Sequence, residues 1–256
     1  MQRFRSACYA AYFFLVLVAF GLAGVFVRVC ARGHALGLAK AWARVALAGL
    51  RPICGIGVRI SGLEYLPARG PALLAGQHQS EFDTLIWMTL LARPSYVMKQ
   101  ELTRIPLFGP MLVPAGMIPV DRAAGARALR RLTLDCLLAR DAGRQIVIFP
   151  EGTRVAPGER VVLHPGVAAV AARLGVPVYP VATDSGLRWG RGGWGKHAGT
   201  IHVVVGAPIA AGTPRETLLA AIEAHWRRCE NDGFQAVDKS VGQSLGLPPD
   251  RAQAAG

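Results

Sequence analysis

The sequence predicts an α/β protein, a mostly parallel sheet flanked by helices, with a membrane-associated helical pair ahead of it. Three observations carry this expectation. Short apolar runs rich in β-branched residues alternate with stretches of helical periodicity from about residue 57 onward. Polar residues capable of chemistry stand directly after several of those runs, where an open parallel sheet keeps its site. Ala7 to Val27 is free of charge, bracketed by Arg3 and Arg5 before and by Arg28 and Arg32 after.

As a helix, the uncharged stretch spans about 31 Å, close to the roughly 30 Å of a bilayer core. A cleaved signal peptide is the competing reading, but its apolar region normally holds roughly 7–15 residues, and Arg28 stands where a small cleavage-site residue is wanted. His34 to Arg51 follows as a second helix. Lys40, Arg44 and Arg51 share one of its faces, Leu38, Trp42 and Val45 the other, and Leu36 and Leu47 break the pattern. Such a helix suits a membrane surface, and equally a helix packed on a domain. Lys and Arg counts near the first helix put its C-terminal side in the cytoplasm.

Gly57 to Ile60 and Ala72 to Ala75 read as strands. Ser80 is a candidate cap for a helix that carries Asp83 in its first turn and continues through Leu85, Ile86, Met88 and Leu91. Tyr96 to Lys99 and Met117 to Asp121 read as extended, the latter despite Pro119. Ala123 to Ala142 has helical spacing, with Leu129, Leu132 and Cys136 on one face. The order then runs strand Gln145 to Phe149, helix near Gly166 to Leu174, strands Val178 to Ala182 and Ile201 to Val205, and a closing helix Pro214 to Cys229. The Gly-, Pro- and Ala-rich tail after Val241 reads as loose.

A chain of 256 residues buries one substantial core. A hydrophobic fraction of 52% and a mean hydropathy of +0.32 point toward a membrane. The net charge of +13 is carried mostly by arginine, since Lys40, Lys99, Lys196 and Lys239 are the only lysines. A basic chain suits anionic lipid or phosphorylated substrates, although a GC-rich genome also inflates Arg. Without a Lys/Arg block interleaved with aromatics, nucleic acid is not an expected partner. Cys8, Cys30, Cys54, Cys136 and Cys229 are widely spaced and form no CxxC pair, which excludes a disulfide framework and fits a reducing compartment.

Two runs carry the chemistry. In Gly76-Gln77-His78-Gln79-Ser80-Glu81-Phe82-Asp83, a histidine follows a strand with a carboxylate five residues on. A carboxylate that holds Nδ1–H fixes the tautomer and leaves Nε2 free to take a proton from a hydroxyl. By itself Asp83 also fits ordinary helix-start chemistry. Phe149-Pro150-Glu151-Gly152-Thr153-Arg154 puts an arginine on a turn loosened by glycine, suited to a phosphate, with an ion pair between Glu151 and Arg154 as the plain alternative. Arg122 and Lys99 each stand at a further strand end. Together these residues describe a hydroxyl-activating base beside a phosphate pocket. Other motifs fail. Gly190 to Lys196 has phosphate-loop spacing, but His197 replaces the required Ser or Thr. The Gly-x-Ser-x-Gly spacing occurs only at Gly242 to Gly246, in the tail read as loose and not at a strand-to-helix turn, no His-Glu-x-x-His exists, and His34, His164, His197, His202 and His225 are scattered, so a metal site is not expected.

With these residues in view, the chain resembles the glycerolipid acyltransferase family, most of all the bacterial 1-acylglycerol-3-phosphate acyltransferases. His78 to Asp83, Gly116 to Arg122, Phe149 to Arg154 and Val176 to Val181 match its four blocks, and Lys99-Gln100-Glu101-Leu102 the stretch between the first two. Asp184 stands where asparagine is common, and Pro119 where an aromatic or aliphatic residue is frequent. The likeness runs from about Gly57 to Gly212. It implies a glycerol-3-phosphate acyltransferase-like fold, with 1–52 as membrane-anchoring helices, 53–241 as the acyltransferase domain and 242–256 as a flexible tail. It implies His78 as general base, Asp83 as its partner, and Lys99, Arg122, Gly152, Thr153 and Arg154 around the acceptor phosphate, with Glu151 placing the glycerol backbone. The expected acceptor is lysophosphatidic acid, and the expected donor is acyl-CoA or acyl-acyl carrier protein, a co-substrate, with no bound cofactor and no metal. The expected location is the bacterial inner membrane, with the catalytic domain facing the cytoplasm. Another lysolipid acceptor (glycerol-3-phosphate, a lysophospholipid, a lyso-ornithine lipid) and a non-catalytic lipid-binding relative remain as alternatives.

Overall fold

The structure, a computed structural model, describes residues 1–190, 192 and 195–234. The expected tail 242–256, the last residues of the 53–241 stretch, and Arg191, Gly193 and Trp194 of the phosphate-loop-like run lie outside the described residues.

The elements run α1 (Gln2–Cys30), α2 (Ala35–Ala48), β1 (Ile56–Ser61), β2 (Ala72–Gly76), α3 (Phe82–Leu90), β3 (Pro94–Lys99) and a short α4 (Gly109–Leu112). They continue as β4 (Ile118–Val120), α5 (Ala126–Asp141), β5 (Gln145–Ile148), α6 (Gly166–Leu174), β6 (Val178–Thr183), a short α7 (Ser185–Arg188), β7 (Gly199–Val205) and α8 (Arg215–Asn231). The seven strands form one sheet in the order β1-β7-β6-β2-β5-β3-β4. Every described pairing is parallel except β6 with β7. Pro119 sits in β4, which ends the sheet, and an edge strand is where a residue without an N–H is tolerated.

β2, β5 and β6 are buried throughout, as strands covered on both faces must be. Alternation along β2 divides the core. Leu74 faces α1, α2 and α3 with Tyr9, Leu47 and Trp87, whereas Leu73 faces α5, α6 and α8 with Cys136, Val170 and Ile222. Each fully buried Leu or Ile contributes about 1.5–3 kcal/mol, so both layers matter to stability.

The two N-terminal helices belong to the first layer. Tyr9 is fully buried and its hydroxyl donates to the Ala46 carbonyl, 2.9 Å away. Phe13 meets the rings of Trp42 and Trp189. In α2, Ala43, Ala46 and Leu47 are buried, and Lys40 donates to the carbonyls of Leu91 and Ala92, just past the C-terminal end of α3. Of the two readings of His34 to Arg51, packing on the domain is therefore what the fold contains. Arg51, expected on the cationic face, falls beyond α2 in a π-turn. The far side of α1 is open: Phe4, Phe14, Leu15, Leu22, Phe26 and Val29 are exposed on a helix long and apolar enough to cross a membrane.

Candidate active site

β2, β5, β3 and β4 are neighbours and mutually parallel, so their carboxyl ends share one edge of the sheet. His78 follows β2, the Phe149–Arg154 turn follows β5, Lys99 ends β3 and Arg122 follows β4. Groups far apart in the sequence thus converge. His78, Lys99, Arg122, Gly152, Thr153 and Arg154 all line one cleft of about 470 Å³. Its other walls are apolar: Met88, Met98, Leu112 and Phe149 from the α/β body, and Leu17, Phe20 and Trp42 from the N-terminal helices.

His78 is held on every side. Its N–H donates to Glu151 Oε2 at 2.6 Å, and its carbonyl accepts from Val155 N–H at 2.8 Å. Its ring stacks on Phe149 with centroids 4.4 Å apart, and the side chain keeps 17% exposure toward the cleft. Its Nδ1 lies 3.3 Å from Asp83 Oδ2. Asp83 is 3% exposed, and the same oxygen accepts the N–H groups of Gln79 (2.7 Å) and Ser80 (2.8 Å). The carboxylate therefore folds the turn back upon itself and presents Nε2 away from Asp83.

Ser80 does not cap α3 as expected; no side-chain cap bond is made there. Fully buried, it donates its hydroxyl to Ser185 Oγ at 2.9 Å, while Gln79 Oε1 accepts Gly186 N–H. These bonds latch the histidine turn to the start of α7, just after β6. Gln77 extends the latch, accepting from Thr183 N–H and donating to Glu230 Oε1 on α8.

The sequence profile of the Acyltransferase family matches residues 57–184, half of the chain, and takes in all of these strand ends. The chain belongs to the acyltransferase family. It is 35% identical over 173 residues to the 1-acyl-sn-glycerol-3-phosphate acyltransferase of Pseudomonas aeruginosa, covering 66% of each chain. It is 31% identical over 130 residues to the enzyme of that name from Borreliella burgdorferi, covering 50% of this chain and 52% of that one. It therefore spans about two thirds or less of these relatives' length. The crystal structure of the 1-acyl-sn-glycerophosphate (LPA) acyltransferase PlsC from Thermotoga maritima shares the fold, with a TM-score of 0.72 at 21% identity, over 91% of this chain and 98% of that one.

Within this acyltransferase fold the expected cations are not free points of charge. Arg154 is paired with Glu81 rather than with Glu151, and Arg122 donates to the Gly152 carbonyl. Gly152 has φ +70°, and a Cβ there would come within 2.5 Å of the His164 ring, so the turn requires glycine on two counts. Glu151 does not line the cleft. It is 7% exposed, behind His78, and burial pushes its carboxyl up to about 8, helped by Asp83 and Glu230 and opposed by the His78 N–H.

Sequence reasoning missed several parts. His202, scattered in sequence from any carboxylate motif, is paired too: its Nδ1 lies 2.8 Å from Asp184 Oδ2, on the β7 side and away from the cleft. The aromatic backing of His78 by Phe149 and the wall made by Leu17, Phe20 and Trp42 were not anticipated either. Lys196, from the phosphate-loop-like run, is buried over the rings of Tyr9 and Trp189 and does not line the active-site cleft. Among the described residues, no group of three or more His, Cys, Asp or Glu is placed to hold a metal ion.

Proposed function

We propose that the protein is a membrane-bound 1-acyl-sn-glycerol-3-phosphate O-acyltransferase that makes phosphatidic acid for phospholipid synthesis. One observation carries the reading: His78, oriented by the buried Asp83, shares an apolar cleft with Lys99, Arg122 and Arg154, a combination suited to an amphiphile with a phosphate at one end. The names of the relatives point to the same acceptor.

In this mechanism Asp83 holds the Nδ1–H of His78, and Nε2 takes the proton from the free sn-2 hydroxyl of lysophosphatidic acid as its oxygen attacks the acyl thioester carbonyl. The tetrahedral adduct collapses, the C–S bond breaks, and the imidazolium returns its proton to the leaving thiolate. The products are phosphatidic acid and a free thiol, on coenzyme A or on acyl carrier protein. The thioester is already activated, so no acyl-enzyme is required. Arg154, Arg122 and Lys99 hold the acceptor phosphate, with Arg154 exchanging Glu81 for the phosphate when substrate arrives. Gly152 and Thr153 shape that turn. Glu151 serves as a positioning residue through the His78 backbone. The acyl chains lie among Leu17, Phe20, Trp42 and Met88, and the exposed side of α1 enters the bilayer. The location is the bacterial inner membrane, with the α/β body on its cytoplasmic side.

The test is purified full-length protein given one acyl thioester and a panel of acceptors: lysophosphatidic acid, glycerol-3-phosphate, a lysophospholipid and a lyso-ornithine lipid, with products identified by mass. Phosphatidic acid formed from lysophosphatidic acid, and lost in His78→Ala, supports the reading. Transfer to a different acceptor instead, or no transfer at all, refutes the assignment.

A further inference from the structure

A second cavity, of about 380 Å³, lies at the C-terminal end of α1. Arg28, in the last turn of α1, and Arg32, just past its end, are both exposed and supply its charge; Val25, Val29, Leu107 and Pro110 supply its apolar sides. Arg32 is held in place by its Nε donating to the Arg28 carbonyl at 2.9 Å.

Its setting gives the cavity meaning. Leu107 and Met111 line both this cavity and the active-site cleft, so the two share a wall. Leu107 has φ +64°, a conformation costly for a residue with a branched side chain, and it is held there where Gly21 leaves room: a Cβ at Gly21 would fall 2.9 Å from that of Leu107. Gly24 gives Met111 the same kind of room. Outward, Val25 and Val29 continue the exposed apolar side of α1, with Leu22 and Phe26 beside them. Two guanidiniums at the border of an apolar surface match one chemistry, a phosphate head group with acyl chains attached.

The geometry points to a binding site for an anionic phospholipid of the bilayer, its phosphate between Arg28 and Arg32 and its chains along Val25 and Val29. The site is separate from the catalytic cleft, and it does not depend on the activity proposed above, because binding is read without turnover. A soluble acidic partner fits less well, since Val25, Val29 and Leu107 would remain uncovered beside it.

The experiment uses full-length protein and sedimentation with vesicles of phosphatidylcholine alone or with phosphatidylglycerol. Wild-type protein should bind the mixed vesicles more tightly. The double variant Arg28→Gln/Arg32→Gln should lose about 30-fold of that preference, at about 1 kcal/mol per arginine near an anionic surface. Its binding to phosphatidylcholine and its thermal midpoint should stay at wild-type values. Arg127→Gln/Arg130→Gln on α5, across the sheet, removes the same charge and should change the preference little. Equal losses in the two double variants would mean diffuse attraction and overturn the site. An unchanged preference in Arg28→Gln/Arg32→Gln overturns it as well. At constant ionic strength, displacement of the protein from mixed vesicles by inorganic phosphate would reassign the cavity to a free anion and overturn the lipid assignment; persistence of binding supports it.

Discussion

The buried carboxyl of Glu151 makes stability depend on pH in a direction opposite to that of an ordinary paired carboxylate. In the unfolded chain it loses its proton near 4.5, while in the fold it keeps it to about 8. Between those values the folded chain holds the extra proton, so stability falls as pH rises. The full contribution is present below pH 4.5 and is lost on passing pH 8. At 1.36 kcal/mol per pH unit the interval corresponds to an expected loss of roughly 5 kcal/mol, the opposing effect of the 2.6 Å bond from His78 N–H being already contained in it. Glu151→Gln keeps an acceptor oxygen for that N–H but cannot ionise. Wild type and variant should therefore melt alike at about pH 5 and diverge by about pH 9, where wild type should melt roughly 10 °C lower. The assay is thermal unfolding of both proteins in one detergent across that range. Taking the difference between them cancels every group they share. A difference that does not change with pH would refute the argument that burial keeps this carboxyl protonated.

His78→Ala should lower kcat by about 10²–10⁴ while the circular dichroism spectrum is retained, and near-normal turnover would sink the general-base role. Asp83→Asn should also be severe, because the amide keeps an acceptor oxygen for the turn's N–H groups but loses the charge that orients the imidazole and stabilises its protonated form. Arg154→Ala and Arg122→Ala should each weaken a phosphorylated acceptor by about 10- to 150-fold in kcat/KM, with Arg154→Lys restoring only part; unchanged kcat/KM in both alanine variants would rule out phosphate contacts. Deleting residues 1–51 removes Tyr9, Ala43, Ala46, Leu47 and Leu50 from the core, a loss comparable to the roughly 5–15 kcal/mol that holds a domain folded. The truncated chain should show no cooperative melt, and a sharp transition near the wild-type temperature would show that the α/β layer stands without the helices.

Much of the fold was legible because local pattern and burial agree. Gln145 to Ile148 and Ala72 to Gly76 are apolar on both sides and became interior strands, and His78, Lys99 and Arg122 could be placed at strand ends from the sequence alone. What local pattern cannot carry is the partner chosen across the fold. Ser80 has the right residue type for a helix cap, yet a buried hydroxyl on Ser185 offered a bond that its own backbone did not. His202 and Asp184 stand 18 positions apart and meet through the antiparallel pairing of β6 with β7, the one reversal in a sheet expected to be mostly parallel. Glu151 is buried and accepts the His78 N–H, a contact across the fold that its place in the motif does not disclose. Trp42 reads as an interfacial residue on α2; packing against Phe13 and Phe108 instead made it a wall of the cleft.

The place of β1 at the sheet edge sets an order of events during synthesis. Its one neighbour, β7, is made about 140 residues later, so β1 has no strand to pair with for roughly 7–30 s at about 5–20 residues per second. For nearly all of that interval α1 is already made, while Trp189, which it will touch through Tyr9 and Phe13, is still to come. The apolar helix therefore spends that interval without the Trp189 ring against which Tyr9 and Phe13 pack in the fold. A chain that stops short of Trp189 thus carries α1 without part of its packing surface, the condition in which exposed apolar segments favour aggregation.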